Sequence, residues 1–336
     1  MNRSATSMLV LIITTTAVAG PTISPPPGPV TESGRFGAGS KIPQLPFTIT
    51  ASGSYYLADN LTGVVGQDGI TIDADDVTID FGGFALVGVP GSVQGISVAG
   101  AHINIDIRNG TVRDWGQHGI MLDGGTNAIV ESVRMSGNGQ SGIFADDTTV
   151  IRGCVSVSNG NDGIVGRTIV VVDCNVDSNV ADGIEVGVAS VVVNCVATNN
   201  GARGVASAVR STIVGCSSSK NFDGISVFPD CTISSCTVSE NTNAGITVQD
   251  RCTVRDCTSV NNGAGGIGVH GGGGARIDGN NVAGNLRGID VINTGNLIIR
   301  NSASGNGTDY SILAGNDVGP IGTAATSTSP WANIAF

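Results

Sequence analysis

Apolar and polar residues alternate in short runs along most of this chain. Ile184-Glu185-Val186, Ile225-Ser226-Val227, Ile246-Thr247-Val248 and Ile289-Asp290-Val291 each put two aliphatic side chains on one face and a third side chain on the other. A period of two is the mark of a strand with one buried face. No window of helical length carries an apolar helical stripe. A glycine precedes each triplet. The Gly-Ile dipeptide (once Gly-Val) falls at Gly69, Gly95, Gly119, Gly142, Gly163, Gly183, Gly204, Gly224, Gly245, Gly266 and Gly288, at spacings of 20 to 26 residues. Tyr310-Ser311-Ile312 reads as a degenerate last copy.

Two further rows keep step with the glycines. Cys154, Cys174, Cys195, Cys216, Cys236 and Cys257 lie 20 or 21 residues apart, and Asn280 and Asn301 continue them. A second short strand precedes each cysteine, with Ile151, Val171, Val192, Ile213, Ile233 or Val254 as its inward residue. Asn138, Asn159, Asn179, Asn200, Asn241 and Asn262 stand four residues before a repeat glycine, and Asn221 and Asn285 stand three before. One such unit cannot bury its own apolar face. Stacked units bury it continuously and hydrogen-bond rung over rung. The expected fold is all-β, a single-stranded right-handed parallel β-helix of about 11–12 rungs of 20–26 residues. Its hand follows from the preference for right-handed parallel crossovers.

The ends break the pattern. Arg3, the apolar stretch from Met8 to Val18 and the small residues Ala17-Val18-Ala19 have the form of a signal peptide over residues 1–19. A Pro/Gly/Ser-rich linker is expected over 20–45, the β-helix over 46–318 and a C-terminal tail over 319–336. Trp331, Ile334 and Phe336 would cover the open end of the coil. No segment approaches the apolar length of a spanning helix. The expected location is therefore extracellular, on the cell surface or in the periplasm.

Composition narrows the partners. The net charge is −11, and Lys41 and Lys220 are the only lysines, so nucleic acid is excluded as a partner. A strongly anionic polysaccharide would be repelled unless cations bridged it. The eight cysteines permit disulfides between neighbouring rungs, with Cys231 and Cys252 as an extra pair. In-register neighbours hold their Cβ atoms about 4.8 Å apart, against the roughly 3.8 Å a bridge wants. Buried free thiols are the expectation. No metal site is expected there, because zinc wants a tetrahedron and the row is a line.

The repeated N-x-x-x-G-I-x-V and V/I-x-x-C/N segments, with the lead-in Pro46 to Leu57 and the stretch Asp68 to Phe84, resemble the right-handed parallel β-helix proteins of the pectin-lyase-like superfamily. The resemblance implies the fold and a polysaccharide or cell-surface polymer as partner. It leaves the activity open, because that superfamily holds lyases, hydrolases, epimerases and proteins of no known activity. Its catalytic motifs are missing: His102, His118 and His270 lie in no G-H-G, and there is no D-P-H-E.

Candidate sites come from residues that stack. Asp162, Asp182, Arg203 and Asp223 precede repeat glycines in successive rungs. Asp162 and Asp182 would then stand about 5 Å apart, near the carboxylate spacing of retaining glycosidases, and could hold Ca²⁺. Asp-Gly is equally a favoured turn dipeptide, and Arg203 is a charge partner for both neighbours. Asp73, Asp75, Asp76 and Asp80 form an acidic rim or a cation site. Trp115 with His118, and Phe222 with Phe228, are candidates for stacking on sugar rings, and Trp115, in a rung of 24 residues, is expected on a protruding loop. His270, followed by Gly271 to Gly274, has no acid close in sequence. The mixed outward row from Thr71 to Asp290 excludes a flat ice-binding face. The preferred function is a non-catalytic scaffold or binding protein contacting polysaccharide. The alternative is a polysaccharide lyase or glycoside hydrolase.

Overall fold

The computed structural model describes residues 39–336. The expected signal peptide and residues 20–38 of the expected linker lie outside them. Every regular element is a β-strand, forty-one in all among the described residues. Three parallel ladders of thirteen strands run the length of a right-handed coil. The first ladder begins at Phe47–Ile49 and ends at Thr308–Ile312, and the repeat triplets lie in it. The second runs from Gly53–Tyr56 to Asp317–Val318. The third runs from Leu61–Thr62 to Asn333–Ala335. The second and third ladders share the long strands Ile105–Arg113 and Ile129–Ser136, which pass through both. With about 4.8 Å of rise per rung, the rod is about 60 Å long.

There are thus thirteen rungs rather than eleven or twelve. The additional rung is the first, where Pro46 takes the place of the repeat glycine before Phe47-Thr48-Ile49. The fold also starts inside the expected linker. Ser40 and Lys41 pair with Tyr55 and Tyr56, and Ile42 is fully buried against the bottom of the coil. Two aliphatic residues in a polar stretch, Ile42 and Leu45, are enough to bring it onto the open end.

The core is a column of Ile, Val and Leu from the inward strand positions. Asparagines satisfy the corner between the third and first ladders. From Asn138 to Asn285, each Nδ2 donates to the Oδ1 of the asparagine one rung up, at 2.9–3.2 Å. The same oxygen accepts the lower asparagine's backbone N–H, so the corner leaves no orphan donor along this run. Asn221 and Asn285 join the row despite their shorter spacing to glycine. Asp309 closes it by accepting from Asn306 at 2.9 Å.

All eight cysteines are buried free thiols. The six-membered row occupies the corner between the second and third ladders. Hydrogen bonding with the Cys154 sulfur, reinforced by burial, pushes the Cys174 thiol up to about 12. The Cys174 sulfur and burial do the same for Cys195. Protonated thiols are poor nucleophiles, so these two are inert packing towards ordinary oxidants.

The tail closes the far end differently from expectation. Ile321–Gly322 pass over the top, and the chain then returns so that Asn333–Ala335 insert between them and Ser302–Ser304. Asn333 extends the row from Asn301, accepting its Nδ2 at 3.0 Å. Ile334 takes part in this strand, and the Tyr310 hydroxyl donates to its carbonyl. Trp331 lies against the Arg300 guanidinium rather than over the core, and Phe336 projects into solvent. A backbone strand covers the end in place of the two aromatic rings.

Candidate functional site

The outward face of the first ladder is the functional candidate, because it carries both a cluster of carboxylates and two depressions. A larger open depression, about 550 Å³, lies off this face among Asp80, Asn109 and Arg134. Its central row reads Phe144, Val165, Glu185, Ala206, Ser226, Thr247, Gly268 and Asp290. Along the entry side, side chains cap the backbone of the next rung. Gln94 Oε1 accepts from His118 N at 2.8 Å, and His118 Nδ1 accepts from Ser141 N at 3.2 Å. Asp162 Oδ1 accepts from Asp182 N at 2.9 Å, and Asp182 Oδ1 from Arg203 N at 2.7 Å. Asp223 Oδ1 accepts from Ala244 N at 3.0 Å.

This row brings the expected carboxylates together. Oxygens of Asp162, Asp182 and Glu185 lie within 4.8 Å of one another. Asp162 and Asp182 are buried, and Glu185 is half-buried. Burial, opposed by the Asp182 N–H, pushes Asp162 up to about 6. The Arg203 guanidinium clamps Asp182, with Nη2 at 2.6 Å from Oδ2 and Nε at 3.1 Å from Oδ1. Asp223 takes a second bond from Asn243 Nδ2 at 2.8 Å. The expected stack of charges is present, yet its oxygens already serve the coil's own backbone.

Two depressions open on the face. The lower one, about 270 Å³, is floored by Phe144, Val165, Glu185 and Ala206, with Arg203 on one side and Phe228 on the other. The upper one, about 450 Å³, is floored by Ser226, Thr247, Gly268 and Asp290. Asp223 and Asn243 line its entry side, His270 the opposite side, and Leu286, Arg287 and Ile292 its top. Small residues create it. A Cβ on Gly268 would stand 2.8 Å from His270 Nε2, so that glycine is what lets the imidazole lie across the face. Asp290 is buried and held by Arg287 Nη1 at 3.0 Å.

Other candidates are placed differently. Trp115 is not on a protruding loop: it is 1% exposed, and Nε1 donates to the Leu86 carbonyl at 3.3 Å. Its ring fills space left by Gly63 and Gly69, where an added Cβ would come within 2.6 Å of it. Trp115 therefore packs the core and is closed to sugar. His118 is half-buried beside Phe144, with ring centroids 5.4 Å apart, and burial lowers its pKa. Phe222 and Phe228 are about half exposed, and Phe228 borders the lower depression. In the acidic rim, Asp73 and Asp75 grip His102 at 3.3 and 3.1 Å, while Asp80 pairs with Arg108 at 3.1 Å.

The sequence matches the model of the right-handed β-helix region at residues 94–228, 205–282 and 223–321. The chain belongs to the right-handed β-helix family. No curated protein matches it significantly. Among solved structures, this β-helix is similar to the A-module of mannuronan C-5 epimerase AlgE6 from Azotobacter vinelandii. The identity is 17%, the TM-score 0.54, and the match covers 77% of this chain and 75% of that one. It is also similar to the catalytic domain of a GH87 α-1,3-glucanase bound to nigerose, at 13% identity and TM-score 0.60, over 78% of this chain and 62% of that one. The pre-mature gene product 12 of bacteriophage phi29 matches at 13% identity and TM-score 0.57, over 82% of this chain and 48% of that one. At such identities the likeness is one of fold. No helix among the described residues is long and apolar enough to cross a membrane.

Proposed function

We propose that this β-helix is an exported protein that binds a polysaccharide along the outward face of its first ladder without chemically altering it. One observation carries the reading. Asp162 and Asp182, the carboxylates with catalytic spacing, each use Oδ1 to cap the next rung, and Arg203 clamps the second. The open upper depression instead offers hydroxyls, an amide and an imidazole from Ser226, Thr247, Asn243 and His270. Such a surface suits multiple weak hydrogen bonds to sugar hydroxyls. Phe228 adds an exposed ring beside the lower depression. The net charge of −11 favours a neutral polymer, or an anionic one bridged by Ca²⁺. The epimerase and the nigerose-bound glucanase support the polymer class by their names. The signal-like residues 1–19 support export.

A second reading, a carbohydrate-active enzyme, is favoured by the elevated Asp162. Near neutral pH it carries a proton part of the time beside Asp182 and Glu185, as a general acid does. One screen separates the two. The full chain is incubated with plant, algal and bacterial polysaccharides, with and without Ca²⁺, and both retention and new reducing ends or unsaturated products are measured. Retention without product is the expected result. Product formation that disappears in Asp182→Asn would replace binding with catalysis, and no retention on any polymer would end both readings.

A further inference from the structure

The corner between the second and third ladders holds six thiols in one line. Pairs on either side of each cysteine, such as Arg152 with Val172 and Val155 with Asn175, fix neighbouring rungs in register. Successive sulfurs therefore stand about one inter-strand spacing apart, roughly 4.8 Å. Each cysteine is at most 2% exposed, and each Sγ lies 3.2–3.5 Å from the carbonyl oxygen two residues back. An exposed residue, from Gly153 in the lowest of these rungs to Asp256 in the highest, immediately precedes each buried cysteine. Cys231 and Cys252 form a shorter line of the same kind, with Thr253 N donating to the Cys231 carbonyl at 2.9 Å.

We propose that these lines bind soft divalent d¹⁰ cations in linear two-coordination, one ion between the thiolates of two neighbouring rungs. Two metal–sulfur bonds of about 2.3 Å laid end to end span about 4.6 Å, close to the roughly 4.8 Å the ladder imposes. A disulfide would need the sulfurs to close to about 2.05 Å, which the strand register on both sides opposes. Tetrahedral zinc needs four donors where the line supplies two. The geometry that excludes both suits a soft ion, and thiolates are the ligands such ions select. Each binding event breaks two S–H bonds, releases two protons to solvent and forms two S–metal bonds. The resulting bis-thiolate is neutral, so no net charge enters the core. A sulfur used in one pair is lost to the next, so the row of six takes three ions and the row of two takes one. This inference is independent of the polysaccharide reading.

Hg(II), added to the full-length folded chain, is the probe. The expected result is four bound ions per chain in native mass spectrometry, two protons released per ion, unchanged β-sheet circular dichroism and X-ray absorption showing two sulfurs about 2.3 Å from each ion. Two double variants with equal thiol counts test adjacency. Cys154→Ser with Cys257→Ser keeps two neighbouring pairs in the row and should hold three ions in all. Cys174→Ser with Cys216→Ser keeps one pair and should hold two. Equal uptake by the two variants would overturn the proposal. So would a shell of three or four sulfurs in the unaltered chain, or uptake that proceeds only with loss of the β-sheet signal.

Discussion

Replacing Asn200 by alanine tests whether the asparagine row supports the coil. Asn200 Oδ1 accepts the Asn179 backbone N–H at 3.1 Å and Asn179 Nδ2 at 3.0 Å, while its own Nδ2 donates to Asn221 Oδ1 at 3.0 Å. Alanine removes all three bonds, together with a longer one of 3.4 Å from Nδ2 to the Val176 carbonyl that adds little. Asn179 Nδ2 keeps the Ser156 carbonyl at 3.2 Å, and Asn221 Oδ1 keeps the Asn200 backbone N–H at 2.9 Å. The Asn179 N–H keeps nothing and is buried. An orphaned buried donor costs about 1–3 kcal/mol, and each lost side-chain bond about 1 kcal/mol net. The expected destabilisation is therefore about 3–5 kcal/mol. Asn306→Ala, at the part-buried upper end of the row, should cost about 1–2 kcal/mol by the same reasoning. Asn161→Ala, on an exposed side chain, should stay within about 0.5 kcal/mol. Solenoids unfold locally, so the deciding assay is native-state hydrogen exchange at the amides around Asn179, with urea titration alongside. Exchange there should accelerate in Asn200→Ala before distant rungs respond. If Asn200→Ala proved no less stable than Asn161→Ala, the row would be ornament and the coil would stand on its apolar column alone.

Asp162 sets a pH dependence. Its folded-state pKa of about 6 lies above the ordinary 3.8, so its stabilising contribution is full below the lower value and is lost as pH rises through the upper one. Asp162→Asn keeps an acceptor for Asp182 N and should be more stable than the parent by about 1–3 kcal/mol at pH 8, with no gain at pH 4. Parallel urea midpoints at the two pH values would refute this. Trp115→Ala should cost about 3–5 kcal/mol, and in Trp331→Phe the remaining Trp115 emission should resist acrylamide quenching. Gly268→Val should displace the His270 imidazole and weaken polysaccharide retention about tenfold at unchanged melting temperature, a change of about 1.4 kcal/mol. Deleting residues 319–336 removes the strand laid over Ser302–Ser304 and should promote end-to-end association in light scattering. A monodisperse truncation would show that the end is closed by other means.

Repeats made the coil legible, because each rung had to satisfy the same corner with the same residue. Gly163, Cys174 and Asn179 announce a rung even without its neighbours. What escaped depends on exceptions to the repeat. The first rung was missed because Pro46 stands where glycine marks the others. Trp115 looked like the tip of a loop in a long rung, yet glycines one and two rungs below leave a hollow the indole fills. That signal lies in residues more than twenty positions away, and only the stacking connects them. The upper depression is the sharpest case. The turns Asn221-Phe222-Asp223-Gly224 and Asn285-Leu286-Arg287-Gly288 are one residue shorter than Asn241-Thr242-Asn243-Ala244-Gly245 between them. The residue after the asparagine points outward in both, Phe222 at 51% and Leu286 at 61% exposure, as Val180 does at 68% in a turn of ordinary length, and Leu286 borders the depression. The rungs between place Ala244, Ala264, Gly265 and Gly268 in the hollow beside Asn243 and Thr247, so the relief arises from small side chains. His270 had no acid near it in sequence, but the rung above supplies Asp290 and Arg287 to the same hollow. In a solenoid the fold is written in what recurs, and the binding relief is written where recurrence fails. Rungs where small residues replace the usual outward side chains, as Gly268 does, are therefore the places to look first for function in such a chain.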